Sequence, residues 1–197
     1  MEVDERRFRH GQSSLALPQD GSFDSASETC DDARRGKARV GTDNVTRALD
    51  EGGAQYELLP HAHTESALAE AEALGVDPAE VGKTLVVRVP DGYVRTLVPA
   101  NRRADVRKVR ELVGGGKKSV HLATEEDLRR DYPEFDLGAV PPVGGGRQDR
   151  VIVDSRLAER ESVVIEAGSH HESVRIRTAE LLRVAGAEVA DICKEEE

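Results

Sequence analysis

Four kinds of residue in this chain have types and positions that could do chemistry: a lysine, a glycine–proline loop, an aspartate and several histidines. The lysine is Lys83, at the start of the apolar run Thr84-Leu85-Val86-Val87-Arg88-Val89, which is rich in β-branched residues. Such a run predicts a buried strand. Taken alone, Lys83 is either a surface charge at the mouth of that strand or a fixed cation inside a pocket.

The segment Gly138-Ala139-Val140-Pro141-Pro142 is a candidate for holding a carbonyl oxygen. Gly138 lets the backbone turn tightly, and the prolines fix φ at the end of the segment. A rigid loop with free N–H groups can stabilise the oxyanion that forms during acyl transfer. The alternative is an ordinary connecting loop.

Asp154 ends one predicted strand, and Gly168-Ser169-His170-His171 joins two others. We interpret Asp154 as an acceptor for backbone N–H groups of the glycine–proline loop, the alternative being a turn residue ahead of Ser155. His170 either orients a substrate amine or ribose or is a solvent-exposed loop histidine.

A metal site is not predicted. His61 and His63 are two residues apart and could share one face as ligands, but no third Cys, His or carboxylate is spaced to complete a site.

The stretch from Gly75 to Thr84 imitates a phosphate-binding loop without meeting its requirements. Six residues separate Gly75 from Gly82, where the pattern G-x-x-x-x-G-K-S/T needs four. A phosphate-binding loop also follows a strand and opens a helix. Here a predicted helix precedes and a strand follows, so nucleotide hydrolysis is excluded.

The elements that must position these residues are short helices mixed with hairpins. Pro90-Asp91-Gly92 predicts a hairpin turn after the Lys83 strand, and Thr124-Glu125-Glu126-Asp127 predicts a capping box. Residues 135–148 have no periodicity. The predicted helices are 45–51, 65–74 with Thr64 as N-cap, 76–81 with Asp77 as N-cap, 105–113, one from Thr124, and 178–185 capped by Thr178. The other predicted strands are 55–59, 93–98, 120–122, 150–154, 162–166, 173–177 and an edge strand at 188–192. This order predicts an α+β fold with a mixed, largely antiparallel sheet or barrel flanked by helices.

Length and composition are those of one domain with extensions. Residues 1–42 lack any sustained apolar period and predict a disordered extension, residues 43–193 the folded domain, and residues 194–197 an acidic tail. The net charge of −10 argues against a protein that coats nucleic acid, though not against a local basic patch.

The expected location is the cytoplasm. The only cysteines are Cys30 and Cys193, which argues against a disulfide framework and fits a reducing compartment. The N-terminus lacks the apolar region of a secretory signal, and no run approaches 18 apolar residues.

Taken together, these features resemble one family. The order and spacing of four features resemble those of the YbaK/prolyl-tRNA-synthetase-associated domain. The features are Lys83-Thr84-Leu85-Val86 after the helix end at Leu74-Gly75-Val76, Val98-Pro99-Ala100 before the helix from Asp105, the Gly138 to Pro142 loop, and Asp154. That family comprises aminoacyl-tRNA deacylases, which edit mischarged tRNA. The resemblance covers roughly residues 43–182.

The resemblance implies an activity, a site and no cofactor. The expected reaction is hydrolysis of the ester between an amino acid and the terminal ribose of tRNA, with no metal or organic cofactor. Lys83 is expected to contact the terminal nucleotide, and backbone amides of the loop Gly138, Ala139, Val140, Pro141 and Pro142 to hold the aminoacyl carbonyl. The residues expected to bind substrate are His61, His63, Asp154, Gly168, Ser169 and His170. Positioning, oxyanion stabilisation and a water activated by the neighbouring ribose hydroxyl can suffice for such an ester.

The expected partner is mischarged tRNA, gripped at its acceptor end by a local basic patch. The patch contains seven basic residues against two acidic ones. The basic residues are Arg102, Arg103, Arg107, Lys108, Arg110, Lys117 and Lys118. A solvated helix face is the alternative reading. An aminoacyl-tRNA synthetase is a second potential partner, and neither a membrane nor DNA is expected.

Two rival functions remain open at this point. One is a non-catalytic module that binds tRNA or a synthetase, and the other is a hydrolase of a different acyl ester. Because Lys83 and the glycine–proline loop are both present, the sequence favours a free-standing deacylase acting in trans.

Overall fold

The structure is a computed structural model that describes residues 39–195. The helices are α1, of which residues 39–51 are described, α2 (Ala67–Leu74), α3 (Val106–Val113), α4 (Glu125–Asp131), α5 (Ser155–Ala158) and α6 (Thr178–Ala185). The strands are β1 (Tyr56–Pro60), β2 (Val81–Val89), β3 (Gly92–Pro99), β4 (His121–Leu122), β5 (Arg150–Asp154), β6 (Ser162–Ser169), β7 (Glu172–Arg177) and β8 (Glu188–Ala190). Every helix within this range is too short or too polar to cross a membrane.

The eight strands form one mixed sheet in the order β1-β7-β6-β2-β3-β5-β8, with β4 paired to β2 beside this path. The pairs β1–β7, β6–β7, β2–β3 and β2–β4 are antiparallel, whereas β2–β6, β3–β5 and β5–β8 are parallel. The predicted mixed, largely antiparallel sheet flanked by helices is therefore confirmed.

The sheet opens along one edge of β2. On that edge β2 pairs with β6 only at Val81↔Val164 and Gly82↔Ile165, and farther along it pairs with β4 at Val87↔Leu122 and Arg88↔His121. Between these contacts Lys83, Thr84 and Leu85 have no strand partner on that side among residues 39–195. We call this gap, bordered by residues 83–85 of β2 and 166–169 of β6, the β2–β6 opening.

Apolar side chains alternate between the two faces of the sheet, as strand geometry requires. One face carries the largest core cluster, which includes Leu97, Val153 and Ile165 and is covered by α1, α6 and the irregular chain after α4. The other face carries two smaller clusters, one beneath α3 and the C-terminal segment and one beneath α2. Lys83 projects from this second face, because its neighbours at alternate positions, Val81 and Val87, belong to those clusters.

Several predicted helix ends need correction. The N-cap of α2 is Ser66, whose hydroxyl accepts from Ala69 N at 3.2 Å, rather than Thr64. The helix predicted from Asp77 is a single turn, in which Asp77 caps Ala79 N at 2.9 Å and β2 begins directly afterwards. Thr178 is the first residue of α6 and not its cap, because the cap position belongs to Arg177.

The start of the folded domain also differs from the prediction. The predicted extension lies outside the described residues as far as residue 38, but residues 39–42 are helical and α1 is longer than predicted. Thr42 is buried and donates to Glu172 Oε2 at 2.6 Å. A side chain at Gly41 would meet Gly168 O at 2.6 Å, so α1 packs directly on the end of β6.

Candidate functional site

The glycine–proline loop is anchored to the turn between β6 and β7. Asp136 N donates to Gly168 O at 3.0 Å, and His170 Nε2 lies 2.9 Å from Leu137 O. Gly138 follows with φ +94°, a conformation that favours glycine, and a Cβ there would lie 3.8 Å from the His170 ring. The structure therefore brings together the loop and the histidine turn, two of the sites singled out in the sequence.

The loop offers two backbone donors. Pro141 and Pro142 have no N–H, and Ala139 N donates to Asp136 O at 3.0 Å. The N–H groups of Gly138 and Val140 find no acceptor within residues 39–195. These two donors are what the loop can present to a carbonyl oxygen.

His170 is held in its charged form by its surroundings. Its Nδ1 lies 3.5 Å from Glu166 Oε1 and its Nε2 faces the Leu137 carbonyl, so both ring nitrogens face acceptors and both favour a proton. The ion pair with Glu166 raises the pKa of His170 to about 9, against the opposing effect of burial. A partly buried imidazolium thus fixes the start of the loop.

Gly168 and Ser169, the last residues of β6, lead into this turn. Gly168 has φ +84° and lies against α1 and the ring of Phe135, where a Cβ would approach Phe135 Cδ1 to 2.6 Å. Ser169 is fully buried, and its hydroxyl accepts from His171 N at 3.4 Å. The predicted contact of these two residues with substrate stays a prediction.

The segment with His61 and His63 lies against the same turn. His61 N donates to His171 O at 2.9 Å, and Thr64 N donates to His170 O at 3.1 Å. The His63 ring lies 5.4 Å from that of His170 and 5.0 Å from that of His171, with half of its side chain exposed. His61, by contrast, uses both ring nitrogens within the protein, Nδ1 toward Ala62 O at 2.8 Å and Nε2 toward Ser173 Oγ at 2.9 Å. Of these two histidines, His63 is the one available to a substrate.

Glu70 is a buried acid next to this group that sequence reasoning missed. It is completely buried on α2 and accepts a hydrogen bond from Ser173 Oγ, the atom that also faces His61. Burial raises its pKa to about 7, and the nearby Glu166 adds to that effect. Its spacing from Ala67 and Leu74, which pack on the sheet, places it on the apolar face of the helix and could have indicated its burial.

Lys83 lies at the β2–β6 opening, with its ammonium turned toward the turn after β3. Its Nζ donates to Ala100 O at 3.1 Å and to Arg102 O at 2.5 Å. Burial lowers its pKa, because desolvation disfavours the charged form. Two of the three ammonium N–H groups are thereby engaged, and no further acceptor lies within the described chain.

Asp154 does not hold the glycine–proline loop, so that interpretation was wrong. Its carboxylate is completely buried and accepts from Arg156 N at 3.0 Å, Ile192 N at 2.9 Å and Cys193 N at 3.0 Å. It therefore caps α5 and holds the C-terminal segment beside β5.

Two residues of the predicted basic patch form ion pairs with acidic residues of the protein. Arg107 forms an ion pair with Asp105 at 3.0 Å, and Lys108 forms one with Asp191 at 2.8 Å. Arg103, Lys117 and Lys118 are exposed and have no ion pair within the described residues, whereas Arg102 and Arg110 are partly buried. The charges best placed for a polyanion are therefore at the two ends of α3.

Comparison with known proteins identifies the family. The family model for the aminoacyl-tRNA editing domain matches residues 61–184. The multifunctional Ser/Thr-tRNA deacylase ProXp-y of Escherichia coli is 25% identical over 160 residues, covering 79% of this chain and 94% of that protein. A proposed Cys-tRNA(Pro)/Cys-tRNA(Cys) deacylase of Enterococcus faecalis, EbsC, is 24% identical and covers 78% of this chain and 94% of its own length.

A solved structure agrees with these relatives. The crystal structure of a proposed trans-editing enzyme for prolyl-tRNA synthetase matches with a TM-score of 0.70 and 29% identity, covering 81% of this chain and 98% of that one. The matched region contains β2 with Lys83, the glycine–proline loop and the His170 turn. The chain belongs to the aminoacyl-tRNA editing domain family, the deacylases that hydrolyse the ester of mischarged tRNA.

Proposed function

We propose that the chain acts in trans as a deacylase of mischarged tRNA and that the reaction takes place between the glycine–proline loop and the β2–β6 opening. Family membership supports the reaction, and the two deacylase relatives align over nearly their whole length. Their names refer to serine, threonine and cysteine, so small polar amino acids are the substrate class to test first.

The observation that carries this proposal is the pair of N–H donors at Gly138 and Val140. When water attacks the ester carbonyl, the carbonyl oxygen becomes an anion, and hydrogen-bond donors fixed in advance stabilise that anion at no cost of reorganisation. Collapse of this intermediate breaks the bond to the ribose oxygen, which leaves with a proton. The imidazolium of His170, held by Glu166, keeps the loop in place and adds a positive charge beside it.

Lys83 supplies the second contact. Its ammonium is anchored by the carbonyls of Ala100 and Arg102, and its third N–H is available for an acceptor on the terminal nucleotide. A partly buried cation anchored in this way binds a phosphate or ribose oxygen more strongly than an exposed lysine would. This arrangement would place the terminal nucleotide at the β2–β6 opening.

The body of the tRNA extends, in this proposal, toward α3. The exposed Arg103, Lys117 and Lys118 provide positive charge there, although the chain carries a net charge of −10. An aminoacyl-tRNA synthetase is the second proposed partner, since the 26%-identical proline–tRNA ligase of Thermosipho melanesiensis contains a related segment. We place this reaction in the cytoplasm.

The decisive experiment is deacylation of a panel of mischarged tRNAs by the wild type and by Gly138→Ala. The variant should lose activity, because an alanine at φ +94° moves the two donors. Gly53→Ala is the matched control, since Gly53 also has a positive φ and open space around it but lies at the end of α1. Equal losses in both variants would attribute the effect to backbone strain alone. A wild type that binds tRNA and leaves every ester intact would instead establish a non-catalytic binding module.

A further inference from the structure

Arg95 is a buried arginine for which the sequence pattern indicated no role. It lies on β3 between Tyr93 and Leu97, on the face of the sheet that carries the largest core cluster, and 2% of its side chain is exposed. A guanidinium in such a place must have its N–H donors satisfied by the protein, because burying an unpaired charge is costly.

Three of its hydrogen bonds go to carbonyls of one short segment. Nη1 donates to Pro141 O and to Gly144 O, both at 3.0 Å, and Nη2 donates to Arg147 O at 3.1 Å. The planar guanidinium fixes the direction of these donors, so it fixes the positions of the three carbonyls relative to β3. The first of them belongs to the glycine–proline loop.

The charge of Arg95 is balanced independently of the loop. Its Nε donates to Asp149 Oδ2 at 3.1 Å, and the same oxygen accepts the hydroxyl of Tyr132 at 2.8 Å. The Tyr132 ring lies 5.2 Å from the guanidinium carbon, within the range of a cation–π contact. Asp149 and Tyr132 therefore orient the side chain and leave its outer donors for the loop.

The loop needs such an anchor because its own residues provide few groups that can attach it to the rest of the protein. Residues 136–149 contain no helix or strand, and Pro141 and Pro142 have no N–H by which the segment could be held. Beyond the prolines, Gly146 N donates to Glu134 Oε1 at 2.8 Å, and the carbonyl oxygens of Pro141 and Gly144 are both taken by Arg95. His170 anchors the other end through Leu137 O.

We propose that Arg95 is a positioning residue for deacylation, which holds the loop from its C-terminal end so that the N–H of Val140 keeps its direction. This inference rests on the proposed function of the loop. Arg95 does not contact the substrate in this scheme, since its donors are occupied by the protein. Its loss should therefore lower kcat and leave KM nearly unchanged.

The test uses the double variant Arg95→Met/Asp149→Asn. Removing Arg95 alone would leave the buried Asp149 carboxylate with Arg147, whose Nε lies 3.4 Å from Oδ1, as its cationic partner. Such an underpaired buried charge destabilises a protein, and removing both charges lessens that penalty. Tyr132 can still donate to the asparagine oxygen. Arg150→Met is the control. Arg150 and Arg95 both line a cleft of about 580 Å³, but Arg150 pairs with Glu188 at the surface.

We expect the thermal midpoint of the double variant to equal that of the wild type. Its kcat should fall by roughly 10-fold or more, while its KM should stay within about 2-fold of the wild-type value. Amide hydrogens of residues 136–149 should exchange faster than in the wild type. Arg95→Lys, which keeps the charge without the planar fork, should show the same loss of kcat. A double variant that folds and deacylates like the wild type would overturn the proposal. If the wild type deacylates nothing, the proposed function fails, and the exchange rates of residues 136–149 still decide whether Arg95 orders the loop.

Discussion

The buried Glu70 makes a quantitative prediction about stability and pH. Its pKa is about 7 in the folded chain and near 4.5 when the chain is unfolded, so the folded state binds the proton more tightly. Stability therefore falls as the pH rises between these values, because above pH 7 the folded state must bury a carboxylate. The difference between these two pKa values corresponds to roughly 3–4 kcal/mol at about 1.4 kcal/mol per pKa unit.

Glu70→Gln removes this titration and keeps the shape of the side chain. The free energy of unfolding of the variant relative to the wild type should rise by roughly 2–3 kcal/mol between pH 5 and pH 8. The unpaired amide of glutamine adds an offset that does not depend on pH. The measurement is the urea midpoint of both proteins at several pH values, with Glu72→Gln, an exposed acid on the same helix, as the control.

A constant difference between wild type and Glu70→Gln across this pH range would refute the reasoning. It would mean that Glu70 ionises in the folded chain as easily as in water. An equal pH dependence in the Glu72→Gln control would mean that the helix as a whole, and not the buried carboxyl, responds to pH.

Three further predictions concern charge. Because the pKa of His170 is raised to about 9, its ion pair with Glu166 stabilises the folded state fully below about pH 6.5, and this stabilisation is lost as the pH rises through 9. His170→Gln should therefore be less stable than the wild type at pH 6, as measured by urea denaturation. A difference in stability that persisted at pH 10 would contradict this. Lys83→Ala should lower kcat/KM on mischarged tRNA by roughly 10²-fold with an unchanged thermal midpoint, and undiminished activity would exclude Lys83 from the site. Reversing the charges of Arg103, Lys117 and Lys118 should reduce the slope of log Kd against log salt for tRNA by about two to three, and an unchanged slope would place the tRNA elsewhere.

Features set by neighbouring residues could be predicted from the sequence. The β2–β3 hairpin follows from Pro90-Asp91-Gly92, and the capping box at Thr124 is present with Asp127 as its third helical residue. The glycine–proline loop and His170 were recognised as chemically unusual for local reasons, and the fold brings them together.

Features that depend on distant parts of the chain could not be predicted. Glu70 is buried against Ser173, 103 residues away, and Arg95 is buried because residues 141–149 close over it. The role assigned to Asp154 was wrong for the same reason, since two of its partners, Ile192 and Cys193, lie 38 and 39 residues farther along the chain. Charge and spacing mark a residue as unusual, but its partner depends on which strands become neighbours.

The carboxylate of Asp154 also makes the C-terminal segment an intramolecular ligand. Ile192 and Cys193 give it two N–H donors, and both are fully buried together with the acid that accepts them. The segment is also held by the pairing of β8 with β5 and by ion pairs of Asp191 with Lys108 and Arg156, and its attachment to the chain adds a high effective concentration. A protein cut after α6 should therefore rebind its missing terminus as a free peptide, and the strength of that binding would measure how much this short stretch contributes to the domain.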